Sequence, residues 1–173
     1  VEEYVFKQHG GLVVRGLPQP DEKGVWLDSR EGNISLHSVR DVDGDGLGDL
    51  AIVDRNAANP DGNRLGSIRL LLSQAGFSGS VQYADLPVIY GRMPENGYWA
   101  QACSVYRIGD VDGDGFGDMG FVGRANTDSE VEEQVPYYEV YIIFGRREFL
   151  SRSTIENELA SGGALILLTA PAV

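Results

Sequence analysis

The sequence predicts an all-β protein that contains one duplicated unit, and two observations lead to this prediction. The first is a nine-residue string, Asp-Val-Asp-Gly-Asp-Gly-x-Gly-Asp, which begins at Asp41 and again at Asp110, 69 residues later. The second is a series of short apolar runs, rich in branched and aromatic residues, that flank both strings. Such runs between glycine-rich turns are typical of β-strands.

Each copy of the string lies between two predicted strands. Apolar residues alternate along residues 34–39 before the first copy, and a longer run at 99–108 precedes the second. The runs at 50–53 and 119–122 follow the two copies. Each acidic string is therefore predicted to be a loop that joins two strands.

The two units have strand-like runs in the same order further along the chain. Strand-like runs at 67–72 and 138–145 come next in each unit, and runs at 86–90 and 164–169 come last. Each unit thus reads as about four antiparallel strands, and a period of this length is typical of the blades of a β-propeller.

These patterns divide the chain into three parts. Residues 31–95 form the first repeat and residues 96–173 form the second. Residues 1–30 hold N-terminal strands, at 4–6 and 12–15, which we interpret as the outer part of a preceding blade.

One short helix is predicted at residues 153–160. Ser153 and Glu156 stand three residues apart, as in a capping box that begins a helix.

Composition and charge disfavour several kinds of partner and exclude an intrachain disulfide. The chain has 173 residues and a formal net charge of −12, which disfavours nucleic acids and anionic membranes as partners. Its single cysteine, Cys103, excludes an intrachain disulfide. No apolar stretch approaches the roughly 20 residues of a membrane-spanning helix.

The acidic strings have the chemistry of a calcium site. Calcium takes ~6–8 oxygen ligands at ~2.3–2.6 Å. Carboxylates at positions 1, 3, 5 and 9 of each string and the backbone carbonyl at position 7 offer such ligands. We predict two Ca²⁺ ions, one in each loop. The predicted metal ligands are Asp41, Asp43, Asp45, the Leu47 carbonyl and Asp49 in the first loop, and Asp110, Asp112, Asp114, the Phe116 carbonyl and Asp118 in the second.

An EF-hand loop and a simple Asp-Gly turn are the other interpretations of the string. An EF-hand needs an acidic residue at position 12 and helices on both sides. Position 12 is Ile52 in one copy and Phe121 in the other, and the flanks are strand-like, so the EF-hand is excluded. A simple Asp-Gly turn would explain one copy. Two full copies in matching contexts favour a metal loop.

The string and its flanks resemble the FG-GAP repeat of integrin α-subunit β-propellers, which bacterial integrin-like and adhesin-type proteins also carry. Residues 109–121 match best, and residues 138–145 are similar to the strand that the family writes as VYVYFG. The resemblance covers residues 30–145. The family's Phe-Gly before the loop strand and its Gly-Ala-Pro after the loop are both missing.

The resemblance implies a fold and a role. The fold would be two FG-GAP-like blades that are part of, or assemble into, a β-propeller. A closed propeller needs more than two blades, so other chains or further blades would complete it. An open β arrangement remains the alternative. The implied role is structural or adhesive recognition of a protein or glycan ligand, in an extracellular or cell-surface protein.

No catalytic motif appears in the sequence, and we predict that the chain is not an enzyme. Neither His9 nor His37 belongs to a recognisable catalytic or zinc-binding pattern. The alternative is a non-catalytic, calcium-stabilised accessory part of a larger extracellular hydrolase. Aromatic residues such as Trp26 and Trp99 offer a binding surface unless they pack between blades.

Overall fold

The computed structural model describes residues 12–17, 34–74, 79–91, 100–125 and 137–171, and within them the fold is all-β, as predicted. The predicted strand at 4–6 and the side chains of Trp26 and Trp99 lie outside the described residues. The strands are β1 (Leu12–Arg15), β2 (Ile34–Ser38), β3 (Leu50–Asp54), β4 (Ser67–Leu71), β5 (Gly79–Gln82), β6 (Val88–Tyr90), β7 (Ala100–Gly109), β8 (Asp118–Ala125), β9 (Tyr137–Ile143), β10 (Arg152–Thr154) and β11 (Ala164–Pro171). A 3-10 turn covers Tyr83–Asp85, and one helix, α1, covers Ile155–Ser161.

The strands form three open sheets. The first sheet has the order β10-β6-β4-β3-β2, and the second has the order β11-β9-β8-β7. Strands β1 and β5 pair in parallel as a separate two-stranded sheet. None of these sheets closes on itself within the described residues.

The two larger sheets repeat one antiparallel pattern. Strands β2, β3, β4 and β6 follow one another across the first sheet, as β7, β8, β9 and β11 do across the second. The register repeats too, since Ser38 pairs with Leu50 and Arg107 pairs with Met119, each 69 residues further on. The sequence duplication is therefore also a duplication of strand order.

One strand crosses from the second predicted repeat into the sheet of the first. Strand β10 pairs in parallel with β6, where Ser153 stands opposite Ile89. This pairing links the two sequence units by backbone hydrogen bonds at the edge of the first sheet. The sequence did not predict it.

The main hydrophobic core lies between the two sheets. Ala51 and Val53 of β3 belong to one buried cluster with Phe121 of β8 and Tyr141 of β9. The Phe121 and Tyr141 rings stack with centroids 5.6 Å apart. Burial of a valine or phenylalanine side chain contributes about 1.5–3 kcal/mol, so this core holds the two repeats together.

The opposite face of the first sheet is covered as well. Ile52 and Leu71 form a second buried cluster with Tyr83 and Leu86, and residues of β1 and β5 pack against it. Side chains alternate between the faces of a strand, so Ala51 and Ile52 enter different clusters. The first sheet is thus buried on both faces.

The predicted helix is present, but its predicted cap is wrong by one residue. Helix α1 begins after Thr154, whose Oγ1 accepts a hydrogen bond from the Asn157 amide at 3.3 Å. Ser153 lies in β10 and is buried, so it cannot serve as the cap. The helix ends at Gly162, which has the left-handed φ of 78°.

Burial of Asp54 is expected to make the stability of the fold depend on pH. Burial raises the pKa of Asp54 above its ordinary value of 3.8, against an opposing hydrogen bond from the Asn56 amide. The folded state therefore holds its proton more tightly than the unfolded chain. We expect this contribution to fall as the pH rises from 3.8 through the raised pKa. Urea unfolding of Asp54→Asn across this range should show a shallower loss of stability than the parent. An unchanged slope would contradict the assignment.

Candidate metal centres

The two acidic strings form loops at equivalent turns, and we refer to residues 41–49 as the first loop and 110–118 as the second loop. Each loop joins adjacent antiparallel strands, β2 to β3 and β7 to β8. Both are built on glycines with positive φ at positions 4 and 6. Gly44 and Gly46 have φ of 78° and 89°, and Gly113 and Gly115 have 81° and 96°. Glycine adopts this backbone without the steric penalty of a Cβ.

Three carboxylates converge in each loop. Asp41, Asp43 and Asp49 each offer an oxygen, and these oxygens all lie within 4.8 Å of one another. Asp110, Asp112 and Asp118 form the same arrangement in the second loop. Six of the eight predicted carboxylate ligands are thus brought together in two clusters that could hold a metal ion.

The first residue of each loop organises the backbone around itself. The Asp41 carboxylate accepts hydrogen bonds from the amides of Gly44 at 2.6 Å, Asp45 at 2.9 Å and Gly46 at 2.8 Å. The Asp110 carboxylate likewise accepts from Gly113 and Gly115. The chain therefore wraps around the carboxylate at position 1.

The predicted ligands at positions 5 and 7 of each loop are not part of the three-carboxylate clusters. Asp45 accepts a hydrogen bond from the Leu47 amide at 2.8 Å, and Asp114 accepts one from the Phe116 amide at 2.9 Å. Asp45 and Asp114 stand outside the two three-carboxylate clusters. Their role as ligands, and that of the Leu47 and Phe116 carbonyls, stays a prediction.

The carboxylate at position 9 is a buried anchor. Asp49 accepts hydrogen bonds from the Val42 amide at 2.8 Å and the Ser73 amide at 2.7 Å. Ser73 follows the end of β4, so Asp49 ties the first loop to the neighbouring strand. Each of its oxygens bonds one amide.

Asp118 repeats this anchor in the second loop. It is fully buried, and it accepts from the Val111 amide at 2.7 Å and the Gly145 amide at 2.9 Å. Gly145 follows the end of β9, in the place that Ser73 takes after β4. Sequence reasoning missed both Ser73 and Gly145, because both bond the anchoring carboxylates through their backbone amides.

The carboxylates of each loop destabilise one another's charge. Burial raises the pKa of Asp49, and the charges of Asp43 and Asp45 raise it further, against hydrogen bonds from the Ser73 and Val42 amides. Burial is also the main cause of the raised pKa of Asp43. A cation among these groups would relieve both effects.

In the second loop, too, a carboxylate pKa is raised. The pKa of Asp112 is raised by loss of hydration and by the charges of Asp114, Asp118 and Asp110, against a hydrogen bond from the Asp114 amide. The pKa values of the two position-3 aspartates, Asp43 and Asp112, are therefore raised alike.

The two loops also contact each other, which the sequence did not predict. The Gly117 amide donates to the Asp41 carbonyl at 2.7 Å, and the Arg146 amide donates to the Val42 carbonyl at 2.8 Å. The Phe116 ring lies against Gly44, where an added Cβ would be 2.5 Å from it. The first loop thus rests on the second repeat.

The donor set fits a hard cation. Both clusters consist of carboxylate oxygens alone, without sulfur or imidazole nitrogen. Carboxylate and carbonyl ligands suit Mg²⁺, Ca²⁺ and Mn²⁺, whereas zinc and copper prefer thiolate or imidazole. The residues present therefore fit the predicted class of metal.

His37 has a structural setting in β2. It shares a 2.8 Å hydrogen bond with the Ser35 hydroxyl. Burial lowers the pKa of His37, and the nearby charge of Arg55 lowers it further, against a hydrogen bond with the Val105 backbone. Both effects favour the neutral form of the His37 ring. The expected absence of catalysis stays a prediction.

The class that fold and site define is an all-β protein with two acidic clusters that could hold a metal ion. No protein-family model and no curated protein matches this sequence. Among the described residues, no helix is both long and apolar enough to cross a membrane.

Proposed function

We propose that this protein is a calcium-binding, integrin-like FG-GAP repeat module that serves structural or adhesive recognition outside the cytoplasm. The observation that carries the proposal is the convergence of three carboxylates in each of two equivalent loops. The proposed role is non-catalytic, and the proposed ligand is a protein or a glycan.

Calcium is the proposed ion because each nine-residue loop is rich in carboxylates and could offer a variable number of oxygen ligands. Calcium accepts irregular sets of oxygen ligands, whereas Mg²⁺ demands near-octahedral geometry and keeps several waters. The calcium ion would have a structural role. Its charge would neutralise the clustered carboxylates, and its bonds to them would hold the turn between two strands. Extracellular calcium modules work with Kd values of about 10⁻⁴–10⁻³ M, which is why we place the protein outside the cytoplasm.

The two larger sheets are proposed to be two blades of a β-propeller. Support comes from their equal strand order and from the face-to-face core that joins them. Blades of a propeller are four-stranded sheets that repeat around an axis. The fifth strand of the first sheet, β10, comes from the second repeat, and its pairing with β6 would then link one blade to the next.

Calcium is expected to raise the midpoint of thermal unfolding. A ligand that binds only the folded state at ten times its Kd stabilises it by about 1.4 kcal/mol per site. For a chain of this size 1 kcal/mol shifts the midpoint by about 2–4 °C, so two sites should give several degrees. The measurement is calorimetry in calcium and in chelator, with isothermal titration to count the ions.

Magnesium at the same concentration is the matched control for that experiment. Equal midpoints in calcium and chelator, with no heat of binding, would rule out the calcium assignment. An equal shift with magnesium would leave a divalent site that does not select calcium.

Recognition is tested separately, by pull-down on immobilised extracellular glycans and matrix proteins. The control is a variant with both Asp41→Asn and Asp110→Asn, which removes the position-1 carboxylate around which each loop wraps. Capture that needs intact loops and calcium supports the adhesive role. Capture that is equal for parent and variant would separate recognition from the metal.

A further inference from the structure

The two loops share one sequence pattern, but their surroundings differ. Asp41 and Asp43 of the first cluster are half-buried. Their repeat equivalents, Asp110 and Asp112, are exposed. The attraction between a carboxylate and a cation is stronger where less water screens it. The first loop is therefore expected to hold a divalent cation more tightly than the second.

One aromatic side chain of the second loop packs against the first loop. The Phe116 ring lies against Gly44, where an added Cβ would be 2.5 Å from a ring carbon. At Gly113, the repeat equivalent, an added Cβ would meet nothing within 4 Å among the described residues. Leu47 stands at position 7 of the first loop, and its side chain is exposed. The contact therefore runs from position 7 of the second loop to position 4 of the first.

This contact reaches a candidate metal-ligating carboxylate through the backbone. The Gly44 amide donates to the Asp41 carboxylate at 2.6 Å. The Phe116 ring thus restricts the turn that holds this carboxylate in place. The Gly117 amide, next along the chain, donates to the Asp41 carbonyl at 2.7 Å, so ring and backbone hold the same residue. A loop that is held before the ion arrives loses less conformational entropy when it binds the ion.

Phe116 takes part in both loops through different atoms. Its carbonyl is the predicted position-7 ligand of the second loop, and its amide donates to the Asp114 carboxylate at 2.9 Å. Its ring packs on the first loop. A substitution that changes only the side chain therefore acts on the first loop and leaves the predicted backbone ligand of the second loop in place.

We propose that the Phe116 ring is a positioning group that raises the calcium affinity of the first loop, so that the first loop fills before the second. The proposal rests on the proposed calcium binding and deepens it by ranking the two sites. The ring acts through Gly44 and Asp41 and is not itself a ligand. The sequence pattern does not rank the sites, because both strings carry the same four aspartates. The rank comes from what packs on each loop in the fold.

The test is a calcium titration of the full chain followed by nuclear magnetic resonance, with one backbone amide as the reporter of each loop. The Gly46 and Gly115 amides are suitable, because each donates to the position-1 carboxylate of its own loop. In the parent chain the Gly46 signal should reach half-saturation at a lower calcium concentration than the Gly115 signal.

Phe116→Leu gives the second loop the residue that the first loop has at position 7. It should raise the half-saturation concentration at Gly46 by about threefold to tenfold, as expected when two residues in contact are uncoupled. The value at Gly115 should change by less than about twofold, because the predicted backbone ligand is kept. Phe116→Tyr keeps a ring and should keep the parent affinity. Leu47→Phe, at the exposed equivalent position, is the matched control and should change neither value.

Three results would overturn the ranking while leaving the metal sites in place. The first is equal half-saturation at both glycines in the parent. The second is tighter binding at Gly115 than at Gly46. The third is a Phe116→Leu chain, folded by circular dichroism, that keeps the Gly46 affinity or weakens both loops alike. Phe116→Met takes its place if that variant does not fold. A parent in which neither glycine responds to calcium would instead contradict calcium binding itself, and the proposal would fall with it.

Discussion

Replacing Asp118 with asparagine is expected to lower the free energy of unfolding by about 2–4 kcal/mol, even in chelator. Asp118 is fully buried, and its two oxygens accept from the Val111 and Gly145 amides. Asparagine keeps one acceptor oxygen, and its NH₂ group faces the second amide. One buried amide then loses its partner, and the remaining hydrogen bond loses the charge that strengthens it. Urea unfolding in chelator measures the loss.

Asp114→Asn is the matched control for Asp118→Asn. Asp114 lies in the same loop, but it is exposed, and among the described residues its carboxylate accepts from the Phe116 amide alone. Both variants should weaken calcium binding at the second loop, because each removes one carboxylate charge. Only Asp118→Asn should lower stability substantially without metal. If the two variants lose the same stability in chelator, then the anchor role of Asp118 is wrong.

Alanine at position 8 should have opposite consequences in the two loops. A Cβ at Gly117 would lie 2.6 Å from the Arg40 Cβ and 3.0 Å from the Asp41 carbonyl oxygen. A Cβ at Gly48 would meet only the Val39 carbonyl oxygen, at 3.9 Å. We expect Gly117→Ala to cost about 1–3 kcal/mol, since overpacking must push the repeats apart. Gly48→Ala should be neutral or stabilise the fold by up to about 1 kcal/mol, because alanine restricts the unfolded chain.

Chemical denaturation of both variants in calcium measures this difference. Gly117→Ala should also weaken calcium binding at the first loop, whose Asp41 carbonyl receives the Gly117 amide at 2.7 Å. Site-resolved titration, with the second loop disabled by Asp112→Asn, detects that loss. Equal stability losses for the two alanine variants would refute the contact between the loops as a stabilising interface.

The local features of the loops were predictable from sequence. Alternating aspartates place carboxylates on one side of a tight turn, and glycines at positions 4 and 6 permit the positive φ that the turn requires. The convergence of Asp41, Asp43 and Asp49 follows from residues close together in the chain. The flanking strands followed in the same way from local alternation and branched residues.

Partners from distant parts of the chain were not predictable. The amides of Ser73 and Gly145 complete the two anchors, and a backbone amide has no sequence signature. The pairing of β10 with β6 in the first sheet was not predicted either, because the side-chain pattern of a three-residue strand is too short to identify its partner. Thr154 rather than Ser153 caps the helix, since Ser153 already belongs to β10 and is buried there.

The all-β class, the duplication and the acidic loops were therefore predictable, because these features depend on residues within a few positions of one another. The tertiary structure decided which face of each sheet is covered and how the first loop rests on the second. Val42 and Val111 are the same residue in the same string, yet one is buried and the other is exposed. The reason is that burial depends on what packs from outside the string, and among the described residues the second repeat covers the string of the first.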